Sequence, residues 1–259
     1  MSDSAKTRVF LDSPAQTGDT VLLPEDEARH IFKALRARKG DRIEVVSPER
    51  RLFIAELGDG REAKVLAEVE LPGESNPRVT LYQAVPKGKH MDLVVEKATE
   101  LGAERIVPLL TDRGEVRPGG ESKSSRWQRL AEAAARQSLQ LRVPEISEPV
   151  AFHEAIEEIR EAGEPGVMLH NGEDLPSLEA ALSSLRESVA VFVGPEGGFS
   201  EKELRLGAEA GLIAARMGSY RLRSETAGVV AVARAEAFIR ENVAGAGGLN
   251  RAVARSRTE

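Results

Sequence analysis

Two glycine-rich loops hold the residues with the clearest potential for ligand binding. The first is "VGPEGGFSEKEL" (Val193–Leu204), which follows an apolar run. Its three glycines are Gly194, Gly197 and Gly198. Glycine lacks a Cβ, so these positions can adopt positive φ and let a ligand approach the backbone. Ser200 and Glu203 have capping-box spacing, which points the first N–H groups of a helix back towards the loop. A tight strand-to-helix turn without a ligand is the other interpretation.

The second loop is "GSYRLRSETAG" (Gly218–Gly228), which leads into a helix of small residues. It contains Arg221 and Arg223, and Ser224 or Glu225 opens the helix. Ligands of α/β sheets bind at the carboxyl ends of the strands, so two such loops predict a pocket for a nucleoside-sized ligand. The small residues would equally suit a purely structural helix interface.

Common nucleotide and metal motifs are absent from the sequence. It has neither GxGxxG after a first strand nor GxxxxGK[ST], which argues against a nicotinamide cofactor and a P-loop nucleotide. A ligand held by backbone groups, with an adenine edge to satisfy, fits better than a polyphosphate. The chain has no cysteine, and its four histidines lack metal-ligand spacing, so we predict no metal site.

The N-terminal part, residues 8–72, predicts a small β-barrel. Its short apolar runs are "RVFL", "TVLL", "DRIEVVS", "RLFIAEL" and "KVLAEVEL". One amphipathic helix, about Glu25 to Ala37, interrupts them. Its apolar stripe consists of Ala28, Ile31, Phe32 and Leu35. The segment "LPGESNPR" (Leu71–Arg78) has no periodicity and marks a domain boundary.

From Val79 onwards strands and helices alternate, which predicts a mostly parallel sheet covered by helices on both faces. The predicted strands are "VTLYQAV", "RIVPLL", "GVMLH", "VAVFVG" and "LIAARMG". The predicted helices are "MDLVVEKATELG", Ser124 to Gln140, Leu178 to Leu185, Ser200 to about Ala210, and Glu225 to about Glu241. We therefore expect an N-terminal domain (1–73), a larger α/β domain (74–244) and a flexible tail (245–259).

The net charge of −6 argues against a protein that coats nucleic acid through bulk charge. Locally, however, "RHIFKALRARKGDR" (Arg29–Arg42) has six Lys or Arg and one acid. This segment predicts either an RNA-binding patch or a solvated helix face. The sequence shows no signal-peptide layout and no apolar window of membrane-spanning length, so we expect a cytoplasmic protein.

Four motifs in order resemble one enzyme family. They are "HIFKALRARKGDRIEVV", "VEKATELGAERIVPL", "RVPEI", and "GPEGGFS" paired with "LRSETAG". Together they resemble the SPOUT methyltransferases and, more narrowly, the bacterial 16S rRNA uracil-N3 methyltransferase family. The resemblance covers nearly the whole chain apart from its tail.

The resemblance implies a PUA-like RNA-binding β-barrel joined to a SPOUT-type parallel sheet with a C-terminal trefoil knot. It also implies a homodimer, S-adenosylmethionine held in the knot, and N3 of a uridine in 16S rRNA of the small ribosomal subunit as the methylated atom. The implied cofactor-binding residues are Leu169, His170, Gly194, Pro195, Glu196, Gly197, Met217, Gly218, Leu222, Arg223 and Thr226. The expected RNA-binding residues are Arg29, His30, Lys33, Arg36, Arg38, Arg136 and Arg142, although solvation is an alternative for Arg136.

Arg223 and Glu225 are the candidate catalytic residues. Arg223 could stabilise the developing uracil anion or grip phosphate, or it could form a structural ion pair with Glu225 or Glu196. Glu225 could assist removal of the N3 proton, or it could serve only as a favourable charge at the start of a helix.

The chain departs from the family pattern at two places. Ser138, Leu139 and Gln140 stand where the family has "SGR", and "GSYRLRSETA" stands where it commonly has "GPRILRTETA". Tyr220 thus replaces an Arg. Two alternatives stay open: a non-catalytic RNA-binding or ribosome-assembly protein with a degenerate cofactor pocket, and a tRNA-directed SPOUT methyltransferase.

Overall fold

The structure, a computed structural model, describes residues 7–70, 78–114, 122–172, 174–183 and 188–255, with side chains of the last helix to residue 242. It consists of two compact units. The first contains residues 7–70 together with Ala135–Val143, and the second contains the rest. Most of the predicted boundary segment, the predicted helix end at Leu185 and the last four residues of the predicted tail lie outside the described residues.

The first unit contains one five-stranded sheet, and its strands match the five predicted runs. They are β1 (Arg8–Phe10), β2 (Thr20–Leu22), β3 (Arg42–Val46), β4 (Leu52–Leu57) and β5 (Glu62–Val69), in the order β1-β3-β4-β5-β2. Only the β1–β3 pairing is parallel. A β-bulge between Ile54 and Ala55 shifts the register of β4 against β5, which bends the sheet around its apolar core.

The helix of the first unit is shorter than predicted. It consists of α1 (Glu25–Arg29) followed by a π-helical turn (His30–Ala34), in which the Leu35 N–H donates to the His30 carbonyl. The predicted burial of Leu35 is wrong, because its side chain is 50% exposed. The wider π turn inserts an extra residue and rotates Leu35 away from the face on which Ile31 is buried.

Ala135–Val143 returns to the first unit through contacts with Arg8. The Arg8 guanidinium donates to the carbonyls of Leu139 and Gln140 and to the carboxylate of Glu44. Leu139 adopts a left-handed backbone conformation with φ of +56°. Arg8 is buried, and its hydrogen bonds hold this turn in place while they satisfy the buried charge.

The second unit contains a parallel seven-stranded sheet that confirms the five predicted strands and adds two short ones. The strands are β6 (Arg78–Ala84), β7 (Arg105–Leu110), β8 (Glu145–Ile146), β9 (Val150–Ala151), β10 (Gly166–Leu169), β11 (Ser188–Val193) and β12 (Ile213–Ala215). Their order is β12-β10-β11-β6-β7-β8, and β9 also pairs with β7. The carboxyl ends of β10, β11 and β12 therefore lie side by side.

Six helices accompany this sheet in the described part of the chain. They are α2 (His90–Glu100), α3 (Ser122–Gln137), α4 (Phe152–Ala162), α5 (Leu178–Leu182), α6 (Glu201–Glu209) and α7 (Ser224–Arg255). The sequence interpretation lacks α4. Helix α7 extends past its predicted end near Glu241 into the segment expected to be loose. In the described ranges no helix has both the length and the apolar character needed to cross a bilayer.

The aromatic core of the second unit anchors the first glycine-rich loop. Tyr82 of β6 and Phe192 of β11 stack in parallel, with ring centroids 4.3 Å apart. Phe152 packs against Phe192 and against Phe199 of the loop. Phe199 is buried, so the loop after β11 is fixed at its far end by the core.

Candidate functional site

A cleft of about 290 Å³ lies where β10, β11 and β12 end. Eight of the eleven predicted cofactor-binding residues line it: Leu169, His170, Gly194, Pro195, Glu196, Met217, Leu222 and Arg223. The other lining residues are Asn171, Val193, Gly198, Tyr220, Arg221, Ser224 and Ala227. Most of these additional residues fall within the two loops whose sequence suggests a pocket. Three predicted residues, Gly197, Gly218 and Thr226, are not part of the lining.

Glu196 holds the first loop through two hydrogen bonds, one to its side chain and one to its backbone carbonyl. Its Oε1 accepts a hydrogen bond from the backbone N–H of Lys87 at 3.3 Å. Its carbonyl oxygen accepts from the Arg221 guanidinium at 2.7 Å, which ties the first loop to the second. A direct hydrogen bond thus connects the two loops.

The glycines of the first loop have different reasons for lacking a side chain. Only Gly198 has positive φ, +69°, so the expectation of positive φ is wrong for Gly194 and Gly197. A Cβ on Gly194 would lie 3.2 Å from the ring of Phe199, so tight packing explains that glycine. A Cβ on Gly197 would meet Arg113 at an ordinary 3.4 Å, so Gly197 faces Arg113. Arg113 also donates to the Gly197 carbonyl at 3.0 Å.

The predicted capping box at the start of α6 is confirmed. Ser200 Oγ accepts from the Glu203 N–H at 3.2 Å, and Glu203 Oε2 accepts from the Ser200 N–H at 2.7 Å. The other oxygen of the buried Glu203 carboxylate accepts from the Asp112 N–H at 2.8 Å. Because a buried acid already complements this helix N-terminus, it is not an open anion site.

The two candidate catalytic residues have different surroundings. Arg223 is exposed on the cleft, and among the described residues no carboxylate pairs with its guanidinium. The alternative ion pair with Glu225 or Glu196 is therefore not formed. Glu225 is buried in the first turn of α7, with Oε1 3.7 Å from Nδ1 of His90, and it does not line the cleft.

Gln83 is relevant to the cleft but is not predicted from the sequence, and Tyr220 is predicted only as a departure from the family pattern. Gln83 is a fully buried amide at the end of β6, and its signal is a lone polar residue in the apolar run "VTLYQAV". Tyr220 lies on the cleft with its side chain 86% exposed. Its signal is an aromatic residue in a loop that is otherwise polar.

The expected RNA-binding residues of the first unit are mostly accessible. Arg29, His30, Lys33, Arg36 and Arg38 are exposed. Arg29 bonds to acids of its own helix, whereas in the described residues no carboxylate pairs with the other four side chains. Arg136 is partly buried and forms an ion pair with Glu27, and Arg142 is also partly buried. Groups of His, Asp or Glu suited to hold a metal are absent from the described ranges.

Two known sequence families match this chain. The sequence family described as RNA methyltransferase domain matches residues 74–236. The family described as RNA methyltransferase PUA domain matches residues 23–81.

Relatives named ribosomal RNA small subunit methyltransferase E match over most of their length. The protein of Synechocystis sp. is 31% identical over 85% of this chain and 74% of its own length. The protein of Mycobacterium bovis is 30% identical over 86% of this chain and 88% of its own length. A crystal structure of the Neisseria gonorrhoeae enzyme bound to S-adenosyl methionine superimposes with a TM-score of 0.77 at 28% identity, covering 88% of this chain and 95% of that one. The chain therefore belongs to the RNA methyltransferase family, in the group of ribosomal RNA small subunit methyltransferases E, as its motifs predict.

Proposed function

We propose that this protein transfers a methyl group from S-adenosylmethionine to N3 of a uridine in 16S rRNA of the small ribosomal subunit. The observation that carries the proposal is the cleft formed by the loops after β10, β11 and β12, in a chain of this family. The related Neisseria gonorrhoeae structure, in which the cofactor is bound, supports the choice of cofactor. The cytoplasm is the expected location of such a reaction in bacteria.

The lining of the cleft fits an adenosyl cofactor. Leu169, Met217 and Leu222 offer apolar surface for a purine, and the ends of three strands offer backbone groups for its polar edge. Arg221 and Arg223 supply positive charge for a carboxylate or for RNA. When bound, the cofactor supplies an electrophilic methyl group.

Arg223 is the proposed electrostatic catalyst. Its guanidinium is exposed at the cleft without an acidic partner among the described residues, so it is free to stabilise negative charge on a uracil whose N3 proton passes to solvent water. The methyl group would take the place of that proton, and S-adenosylhomocysteine would leave. The walls of the cleft align the reacting atoms, and alignment contributes up to about 7–11 kcal/mol in favourable cases. The position of Glu225 beside His90 supports its role as a helix-end charge rather than as the proton acceptor.

The proposal extends to the assembly. It includes a C-terminal trefoil knot, a homodimer, and RNA binding through the domain of residues 1–73, with the methyltransferase domain at 74–244. The match to the RNA methyltransferase PUA family and the exposed cations Lys33, Arg36 and Arg38 support RNA binding by the first unit. Of the two departures from the family pattern, Tyr220 is among the residues that line the cleft and Gln140 is not. The eight predicted cofactor-binding residues in the lining favour a functional cofactor pocket over a degenerate one.

The proposal is tested with the purified protein. We expect calorimetry to show binding of S-adenosylmethionine, and we expect small subunits, rather than tRNA, to gain a methyl group. Digestion of the RNA and mass analysis should identify N3-methyluridine. No cofactor binding at high micromolar concentration would refute the enzyme proposal, and a different methylated nucleoside, or a methylated tRNA, would refute the proposed substrate.

A further inference from the structure

A buried hydrogen-bond relay joins β6 to both loops of the cleft. Gln83 Nε2 donates to the carbonyl of Ala84 at 3.0 Å and to Ser224 Oγ at 2.9 Å. Ser224 Oγ in turn donates to the carbonyl of Gly194 at 2.7 Å. Gly194 and Ser224 both line the cleft, whereas Gln83 lies beneath it.

The partners fix the orientation of the Gln83 amide. The Ala84 carbonyl can only accept a hydrogen bond, so the group that faces it must be the NH₂. The single proton of the Ser224 hydroxyl goes to Gly194, so the hydroxyl oxygen must also accept from Gln83. Oε1 therefore points the other way, where no described residue offers it a hydrogen bond.

Gly228 makes room for this orientation. A Cβ on Gly228 would lie 2.1 Å from Gln83 Oε1, far inside van der Waals contact. Gly228 is one helical turn after Ser224, so both residues of α7 face Gln83. A buried amide oxygen without a hydrogen-bond partner destabilises the folded state. The Gln83 amide is therefore oriented by its donor side alone, towards Ala84 and Ser224.

We propose that Gln83 and Ser224 are positioning residues for the cofactor, and that the relay holds the two loop walls at a fixed separation before the ligand arrives. This inference rests on the proposed function. A preorganised wall raises affinity because less conformational freedom is lost on binding. The relay needs a hydroxyl at residue 224 that accepts from Gln83 and donates to Gly194. Threonine at this position would preserve the relay, because its side chain also carries a hydroxyl.

The test measures cofactor affinity for Ser224→Ala, Ser224→Thr and Gln83→Met in the full chain. Calorimetry with S-adenosylmethionine should show that Kd rises at least tenfold for Ser224→Ala and Gln83→Met and less than threefold for Ser224→Thr. The KM for RNA should stay within twofold for all three. Ser47→Ala is the matched control, because it removes another buried serine hydroxyl, bonded to Glu49 at 2.6 Å in the first unit. Its Kd should equal that of the wild type.

The possible outcomes distinguish failure of the proposed function from failure of the relay proposal. A wild-type protein that does not bind S-adenosylmethionine would refute the proposed function, and the relay's role would fall with it. Wild-type affinity in Ser224→Ala would refute the relay alone, as would an equal loss of affinity in Ser47→Ala, which would indicate general destabilisation. The Ser224 pair decides the matter even if Gln83→Met does not fold.

Discussion

Arg223 is the residue whose surroundings most directly suggest chemistry. It stands at the cleft without an acidic partner among the described residues, whereas Arg221 beside it is engaged with the Glu196 carbonyl. An unpaired guanidinium can respond to charge that appears during a reaction, and removal of one such donor typically lowers kcat about 10²–10³-fold.

We therefore expect Arg223→Ala to lower kcat for rRNA methylation about 100-fold. The kcat of Arg223→Lys should lie between those of the wild type and of Arg223→Ala. Single-turnover methylation of small subunits gives the rate without interference from product release. Arg205→Ala, which removes an exposed arginine of α6, is the control and should retain the wild-type rate. An unchanged rate in Arg223→Ala would exclude Arg223 from the reaction.

At the level of elements, the turn that follows α3 carries backbone strain. Leu139 has φ of +56°, a conformation that costs an L-residue about 1–2 kcal/mol. The resemblance to the pattern "SGR" implies a glycine at this position, and the carbonyl of Leu139 accepts a hydrogen bond from Arg8. Its side chain is 53% exposed, so little packing offsets the strain.

We expect Leu139→Gly to raise the free energy of unfolding by about 1 kcal/mol, because glycine adopts this conformation without steric cost. Urea denaturation measures the change. Leu93→Gly is the matched control, since Leu93 is similarly exposed but lies inside α2, where glycine should lower stability by about 1 kcal/mol. Destabilisation by Leu139→Gly would show that the leucine side chain makes a contact that outweighs the strain.

Elements with a long, bounded pattern could be predicted from the sequence, and those set by tertiary contacts could not. The run "VAVFVG" is apolar on both faces and ends at a glycine, so β11 follows directly. The strands β8 and β9 have two residues each and show no periodicity. Leu35 illustrates the same limit, because one π turn rotates it out of a stripe that an ideal α-helix would bury.

Some features of the candidate site could likewise be predicted from the sequence, and others depend on tertiary contacts. The two loops could be identified because glycine, proline and arginine cluster after apolar runs. The neighbour of each glycine could not be predicted, because Gly194 packs against Phe199 and Gly197 lies next to Arg113, and neither contact is visible in the sequence. The role of Gln83 depends on Ser224, which is 141 residues away in sequence.

For the whole molecule, the main structural fact is that the first unit is discontinuous in sequence. Its residues 7–70 are completed by Ala135–Val143, which supplies acceptors for the buried Arg8 and contains Arg136, the partner of Glu27. Removal of this segment leaves the Arg8 charge without part of its hydrogen bonding, which is costly for a buried ion.

We expect a fragment of residues 1–73 to be less stable than one in which a Gly-Ser linker joins residue 73 to Ala135–Val143. Urea denaturation followed by circular dichroism compares the two, and only the linked fragment should unfold in a cooperative transition at 25 °C. Equal stability of the two fragments would mean that residues 1–73 fold fully without Ala135–Val143.

The discontinuity also has a consequence for the order of events during synthesis. The first unit cannot be completed when residue 70 leaves the ribosome, because its last segment ends at Val143. At roughly 5–20 residues per second, the intervening chain takes about 4–15 s to synthesise. During that interval the N-terminal strands exist with Arg8 incompletely satisfied. The first unit would therefore mature only while its neighbour is being made, which couples the two units in time as well as in sequence.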